Sequence, residues 1–254
     1  MLHLSNSIYY SQNIDERIFY KRKRIIMRTF LVLIAALFCT NAFPAAQGSG
    51  AALGRTIAGL YGARSFDSLS SIRYTFNVKR GALAASRQWI WKPKSGEVTF
   101  KGIVTAPAES TVTYNRSMVS RDSALKKIDA WFINDQYWLL FPLHLTWDSA
   151  IVLTENKNIA MPISGRPATQ LIVQYPPAIG YTPEDKFILY IDQTDTVREW
   201  SYFHGGKGEK PTLSARWLDY RSFGPLPLSL ERPFGDGAGR VWFTNVGIRT
   251  IHSP

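Results

Sequence analysis

The chain has 254 residues, of which 45% are hydrophobic, 13% aromatic and 19% charged. This composition excludes a disordered chain and is typical of a globular protein that buries much apolar surface. The formal net charge is +11 at pH 7, and it is +7 (24 minus 17) over residues 47–254, where the basic residues are scattered along strand-like segments without a cluster. It favours attraction to an anionic membrane surface as a partner and argues against nucleic acid.

The first 46 residues are expected to be a leader and signal peptide, with the true start at Met27. Arg28 supplies a positive charge, residues 30–38 an apolar run, and Ala42 or 45–46 the small residues of a cleavage site. An apolar run of about ten residues is shorter than the roughly 20 that a membrane-spanning helix needs. We therefore expect cleavage, a periplasmic or secreted protein, and a single domain over 47–254.

The only cysteine of the chain, Cys39, lies inside this expected signal. Phe38 precedes it where a lipoprotein signal needs a small residue, so a lipid anchor is not expected. The mature chain would then contain no thiol, which excludes disulfide bonds, thiol nucleophiles and cysteine metal sites.

After the leader, a short helix is expected over 51–61, where Leu53, Ile57 and Leu60 have near-helical spacing. Residues 72–79 alternate between apolar and polar side chains, which predicts a strand with one buried face. Further on, the turn residues of 93–96 join two more predicted strands, 87–92 and 97–103, into a hairpin.

A second helix is expected beyond the strand 111–115. Ser120 is predicted to cap it, Leu125 and Phe132 belong to its apolar stripe, and Asn134-Asp135 is predicted to end it. The remaining predicted strands are 137–141, 144–153, 170–175, 186–192, 197–203, 212–220 and 240–249. This pattern predicts a mainly β protein, with one large curved antiparallel sheet or an incomplete β-barrel and two or three helices packed on its concave face.

The sequence offers no convincing catalytic group. Residues 204–206 are similar to an esterase oxyanion loop, but no Gly-x-Ser-x-Gly accompanies them, so a hairpin turn is favoured. His144 and Asp148 are predicted to share a strand, roughly 13 Å apart, which is too far for a common metal. The acidic pairs at 184–185 and 192–195 favour turns. We therefore expect no enzyme, no catalytic residues, no metal and no cofactor.

Aromatic residues are the most distinctive feature, since all eight tryptophans follow the leader. Alternating pairs such as Trp89 and Trp91 place two large rings on one face of a strand. These rings either fill a core or line an apolar ligand cavity. The candidate cavity residues are Tyr74, Phe76, Trp89, Trp91, Phe100, Trp138, Trp200, Tyr202 and Trp242.

Several motifs resemble the LolA-like outer-membrane lipoprotein-sorting superfamily. They are Tyr74-Thr-Phe-Asn-Val78, Trp89-Ile-Trp-Lys-Pro-Lys-Ser-Gly-Glu-Val98, Phe132-Ile-Asn-Asp-Gln-Tyr-Trp-Leu-Leu-Phe-Pro142, Phe187-Ile-Leu-Tyr-Ile-Asp192 and Val197-Arg-Glu-Trp200. The resemblance implies an incomplete antiparallel β-barrel around helices that act as a lid, and an apolar cavity for acyl chains. It also implies a lipid or an acylated protein as partner. The alternative is a non-enzymatic structural or interaction module of the envelope, with a filled core.

Overall fold

Antiparallel strands make up about half of the computed structural model, which describes residues 47–103, 111–177 and 182–251. The expected leader, 1–46, lies outside these residues. The described residues all belong to the compact unit Pro44–Pro254. The helices are α1 (Ala51–Leu60) and α2 (Ser123–Trp147), with short 3-10 helices at Ala63–Ser68, Arg116–Arg121 and His204–Gly206. The strands are β1 (Leu69–Arg80), β2 (Leu83–Lys92), β3 (Glu97–Ile103), β4 (Thr111–Asn115), β5 (Val152–Ala160), β6 (Pro167–Gln174), β7 (Lys186–Ile191), β8 (Val197–Phe203), β9 (Leu213–Arg216), β10 (Leu218–Phe223), β11 (Leu226–Pro233) and β12 (Gly239–Thr250).

The strands form two antiparallel sheets. Seven strands follow the order β10-β11-β12-β1-β2-β3-β4, and five follow the order β5-β6-β7-β8-β9. The sheets meet where β9 continues through Trp217 into β10, and an isolated antiparallel bridge joins Ala215 to Phe234 at the same place. The mainly β fold class is confirmed: the strands are divided between two sheets that are not closed into a barrel, which agrees with the expected incomplete barrel and differs from one continuous sheet.

Alternation of side chains explains the central strand β1. Ile72, Tyr74, Phe76 and Val78 point to one face and are each at most 1% exposed. Successive side chains of a strand point to opposite faces, so these four residues form one apolar row. β2 pairs with β1 in a register that places Trp89 opposite Tyr74, and the two strands therefore share a buried face.

Helix α2 differs most from the sequence-based expectation. Its N-cap is Asp122, whose carboxylate accepts the backbone N–H of Ala124 and Leu125, so the expected cap at Ser120 is wrong. The helix also runs through Asn134-Asp135 to Trp147, which makes the strand predictions for 137–141 and 144–147 wrong. A helix enclosed by sheets has no polar face, so its sequence shows neither the helical nor the strand period. Such an apolar run cannot be distinguished from a buried strand by its pattern.

The backbone of α2 is interrupted in its second half. Leu140 has non-helical dihedral angles (φ −117°, ψ 16°), and Pro142 stands inside the helix. Proline lacks the N–H that would bond the carbonyl four residues earlier, so the carbonyl of Trp138 loses its helical donor. Across the described ranges, no helix is long and apolar enough to cross a membrane.

Candidate functional site

An aromatic layer on the seven-stranded sheet lies directly beneath the first half of α2. Trp89 is fully buried, and its ring centroid is 5.5 Å from that of Phe132 on the helix. Trp91 lies at the same distance from Phe132. Five of the candidate cavity residues belong to this layer: Tyr74, Phe76, Trp89, Trp91 and Phe100. The structure therefore brings these five together, and the side chains of α2 fill the space against them.

A buried ion pair fastens the middle of α2 to this layer. Asp135 is 0% exposed and accepts two hydrogen bonds from the Arg87 guanidinium, at 2.7 and 2.6 Å. The same carboxylate accepts the indole N–H of Trp89 at 2.8 Å. The Arg87 guanidinium also lies 4.8 Å from the ring centroid of Phe76. Asp135 therefore binds both a charged and an aromatic residue of β2, 48 and 46 positions earlier in the chain.

A second carboxylate fastens the start of α2. Asp129 is 2% exposed, accepts the Tyr114 hydroxyl at 2.9 Å and lies 3.0 Å from the Arg116 Nε. Tyr114 belongs to β4, and Arg116 to the 3-10 helix that follows it. Both acidic residues of α2 that face the sheet are thus paired with an arginine, and each bond crosses the boundary between helix and sheet.

A third contact holds the interrupted part of α2. Arg232 of β11 is 0% exposed, and its Nη2 donates to the carbonyl of Trp138 at 3.1 Å. This is the carbonyl that Pro142 leaves without a helical donor. The guanidinium lies 3.7 Å from the ring centroid of Trp217. The side chain of Arg232 therefore donates a hydrogen bond to the main chain of α2 at the position where the helix supplies no donor of its own.

The remaining candidate residues lie away from this layer. Trp138 projects from α2 towards the five-stranded sheet, 4.8 Å between ring centroids from Trp200, which stacks on Tyr202 at 6.1 Å. Trp242 occupies the opposite face of β12, against the Arg240 guanidinium at 4.6 Å. The structure therefore places Trp138, Trp200 and Tyr202 in a second aromatic group and separates Trp242 from both groups.

A cleft of about 360 Å³ opens beside the first aromatic layer. Its apolar walls include Trp91 of the layer and Ile133 of α2, and Phe66 and Trp147 complete them. The polar residues that line it are Asp67, Lys94, Arg116, Gln136, Tyr137, His144 and Asp148. A volume of this size is at the lower end of the range for small-molecule sites. The cleft thus borders the interface between α2 and the sheet.

One wall of the cleft is a hydrogen-bonded network that the sequence analysis missed. His144 and Asp148 were expected roughly 13 Å apart on a strand, but α2 extends to Trp147 and brings the His144 Nδ1 to 3.0 Å from the Asp148 carboxylate. The other oxygen of Asp148 accepts the hydroxyls of Tyr137 and Tyr175, at 2.8 and 2.5 Å. The signal for this network was the spacing of four, which places two side chains on one face of a helix.

The pKa of Asp148 reflects these contacts. Burial by itself would raise the pKa, but the charge of His144 and the hydrogen bonds from His144 and both tyrosines outweigh it. The pKa therefore lies below its ordinary value of 3.8. No group of three or more His, Cys, Asp or Glu side chains arranged to hold a metal ion occurs within the part of the chain that the structure describes.

A smaller polar cluster joins two segments that were predicted to be turns. Asp185 accepts the backbone N–H of Gly205 at 2.7 Å and the Tyr202 hydroxyl at 3.0 Å, and its carboxylate lies 3.4 Å from the His204 Nδ1. Burial raises the pKa of Asp185 above its ordinary value, although these contacts oppose the rise. The cluster ties the end of β8 to the segment that precedes β7.

Comparisons with known proteins find structural similarity only. No protein-family model matches the chain, and no curated protein matches it. Among solved structures, a DUF1329 family protein from Desulfovibrio piger is 10% identical, with a TM-score of 0.44, over 80% of this chain and 93% of that one. A domain from Vibrio parahaemolyticus, described as an outer membrane lipoprotein-sorting protein domain, is also 10% identical, with a TM-score of 0.42, over 80% of this chain and 94% of that one. MucB is 17% identical, with a TM-score of 0.28, over 82% of this chain and 62% of that one.

Proposed function

We propose that this chain is an exported, non-enzymatic protein of the bacterial cell envelope that binds the acyl chains of a lipid or of an acylated protein. The observation that carries the proposal is that the aromatic-walled cleft borders the layer beneath α2, since Trp91 belongs to both. The expected signal peptide and the basic charge of the chain support a location in the envelope.

In this proposal α2 is a lid. An acyl chain enters through the cleft, passes Trp91 and Ile133, and occupies the space beside Trp89 that Phe132 fills in the structure. Displacement of the middle of this lid separates its polar contacts at Asp135 and at the carbonyl of Trp138, while the contact at Asp129 holds the start of the helix. Hydrogen bonds and ion pairs depend steeply on geometry, so these two contacts release the middle of the helix together once it has shifted.

The free energy gained by burying an acyl chain is similar in size to the cost of displacing the middle of α2. Exposing the Phe132 side chain costs about 1.5–3 kcal/mol, and breaking one buried ion pair costs about 3–5 kcal/mol. Each buried methylene of a ligand contributes about 0.8 kcal/mol, so a chain with roughly ten buried methylenes contributes ~8 kcal/mol. An acyl chain of ordinary lipid length therefore offsets the opening of one ion pair, whereas a short apolar molecule does not.

The test is a titration with a fluorescent fatty acid of the full chain, produced in a bacterial host and purified without detergent. Wild-type protein is expected to bind the probe, and Asp135→Asn, which weakens the hold on α2, is expected to bind it faster. Glu97→Gln provides the matched control, because it removes the exposed ion pair to Lys92 on the same hairpin. Absence of binding to all three proteins, together with absence of co-purified lipid by mass spectrometry, would refute the proposal.

A structural or interaction module of the envelope is the second candidate function. It is favoured by the burial of Tyr74, Phe76 and Trp89, each at most 1% exposed, and by their contacts with neighbouring rings. In that case the rings serve stability alone, and Trp89→Ala destabilises the protein without changing any ligand. A variant that loses the fluorescent fatty acid while it retains its melting temperature would contradict this second candidate.

A further inference from the structure

Arg232 is a buried cation without a carboxylate partner among the described residues. The Glu231 side chain, its neighbour in sequence, pairs instead with Arg240. The Arg232 guanidinium donates to the Ser229 hydroxyl and to the carbonyls of Glu231 and Trp138. Burial lowers its pKa from the ordinary arginine value to about 10, so it stays charged at neutral pH. A buried charge that hydrogen-bonds only neutral groups is costly. The presence of such a charge at Arg232 points to an anion that pairs with it in another conformation of the protein.

Hydrogen-bond donors are in surplus around this guanidinium. The Nε of Arg232 and the indole nitrogens of Trp200 and Trp217 are all buried and have no hydrogen-bond partner within the described ranges. Trp217 stacks beneath the guanidinium, and Trp200 packs on Trp138, whose carbonyl Arg232 holds. Each of these three unpaired groups is an N–H. Carboxylate and phosphate oxygens accept several such bonds at once, so the Nε of Arg232 and the neighbouring indole N–H of Trp217 favour an anionic ligand.

The same guanidinium borders the aromatic layer beneath α2. It lies 5.9 Å from the ring centroid of Phe243, which is in turn 6.0 Å from Tyr74 and 5.8 Å from Phe76. The Tyr74 hydroxyl is a further buried group without a hydrogen-bond partner in the part of the chain that the structure describes. A headgroup bound at Arg232 would therefore place its hydrocarbon chain over the aromatic layer.

We infer that Arg232 is the headgroup subsite of the lipid site and selects anionic amphiphiles, those with a carboxylate or phosphate at the head of an acyl or alkyl chain. The inference rests on the proposed function, because the ligand reaches Arg232 only when α2 moves. That movement removes the carbonyl of Trp138 from the guanidinium. An anionic oxygen replaces it and adds a countercharge, whereas an uncharged headgroup leaves the cation uncompensated.

The experiment compares decanoate, decyl phosphate and 1-decanol, which have the same chain length, as competitors of the fluorescent fatty acid on the full chain at pH 8. Wild-type protein is expected to prefer both anions to the alcohol by about tenfold or more, which corresponds to ~1.4 kcal/mol. Arg232→Met, which replaces the charge by an apolar side chain, is expected to bind the alcohol within about threefold of wild type and to lose the preference. Inorganic phosphate alone is expected not to compete.

Arg240→Met is the matched control, since it removes an arginine from the neighbouring strand whose side chain is 50% exposed. It is expected to keep the full preference. Equal affinity of wild-type protein for decanoate and 1-decanol would overturn the subsite and leave the proposed function intact. This outcome is measured on wild-type protein, so it does not depend on the folding of a variant. Competition by free phosphate would overturn the lipid headgroup assignment. Binding of neither decanoate nor 1-decanol would overturn the proposed function and the subsite together.

Discussion

The substitution Asp135→Ala tests how firmly α2 is held to the sheet. It leaves Arg87, whose side chain is only 11% exposed, without its carboxylate, and it removes the acceptor of the Trp89 indole N–H. Removing one member of a buried ion pair costs about 3–5 kcal/mol, and an unsatisfied buried N–H costs ~1–3 kcal/mol. The two costs share one carboxylate, so they are not added. The expected loss of unfolding free energy is about 3–5 kcal/mol.

Urea denaturation followed by tryptophan fluorescence measures this loss. With a denaturant slope of about 3 kcal/mol/M, the unfolding midpoint of Asp135→Ala is expected to fall by ~1 M or more. Glu97→Ala, which breaks the ion pair to Lys92, is the control. The side chains of that pair are 38% and 52% exposed, so its expected cost is below about 1 kcal/mol. An Asp135→Ala midpoint equal to that of Glu97→Ala would refute the view that this ion pair holds the helix.

Three further predictions follow from the same contacts. Trp89→Ala is expected to destabilise the protein by about 3–5 kcal/mol in thermal or urea unfolding, because the fully buried ring of Trp89 contacts both the layer and α2. A loss of unfolding free energy below ~1 kcal/mol would contradict the packing described. Asp129→Asn is expected to increase hydrogen exchange at the start of α2 more than at its end, since it weakens the bond to Arg116; uniform exchange would argue against a local role. The folded pKa of Asp148 is lowered, so its contribution to stability is present above its ordinary pKa of 3.8 and is lost as the pH falls below that value. Asp148→Asn is therefore expected to lose less unfolding free energy between pH 7 and pH 3 than wild-type protein. Equal losses would contradict this assignment.

Alternation of side chains was sufficient to predict most strands. The predicted segment 72–79 lies within β1, and 111–115 and 197–203 coincide with β4 and β8. β11 was missed because prolines at both of its ends and within it argue against a strand. Trp217 divides the predicted strand 212–220 into β9 and β10, a break that no turn residue announces.

The second half of α2 could not be predicted for a different reason. Its residues Leu139 to Leu145 are all buried, because the helix contacts both sheets, and such a run shows no polar face. The sequence analysis instead ended the helix at Asn134-Asp135, ahead of Pro142, which interrupts its hydrogen bonding. The ion pair between Arg87 and Asp135 depends on that packing, since the two residues are 48 positions apart. Sequence patterns identified the aromatic residues of the layer but not the charged residues that hold α2 above it.

The most direct measurement of the central claim is photo-crosslinking of the full chain with a fatty acid that carries a diazirine near its chain terminus, followed by peptide mapping. The account predicts that label is found on peptides of β1, β2 and α2, that unlabelled decanoate competes with it, and that Arg232→Met reduces this competition. Label distributed over the outer face of β12 around Trp242, or label that no fatty acid displaces, would contradict the claim that acyl chains bind between α2 and the aromatic layer.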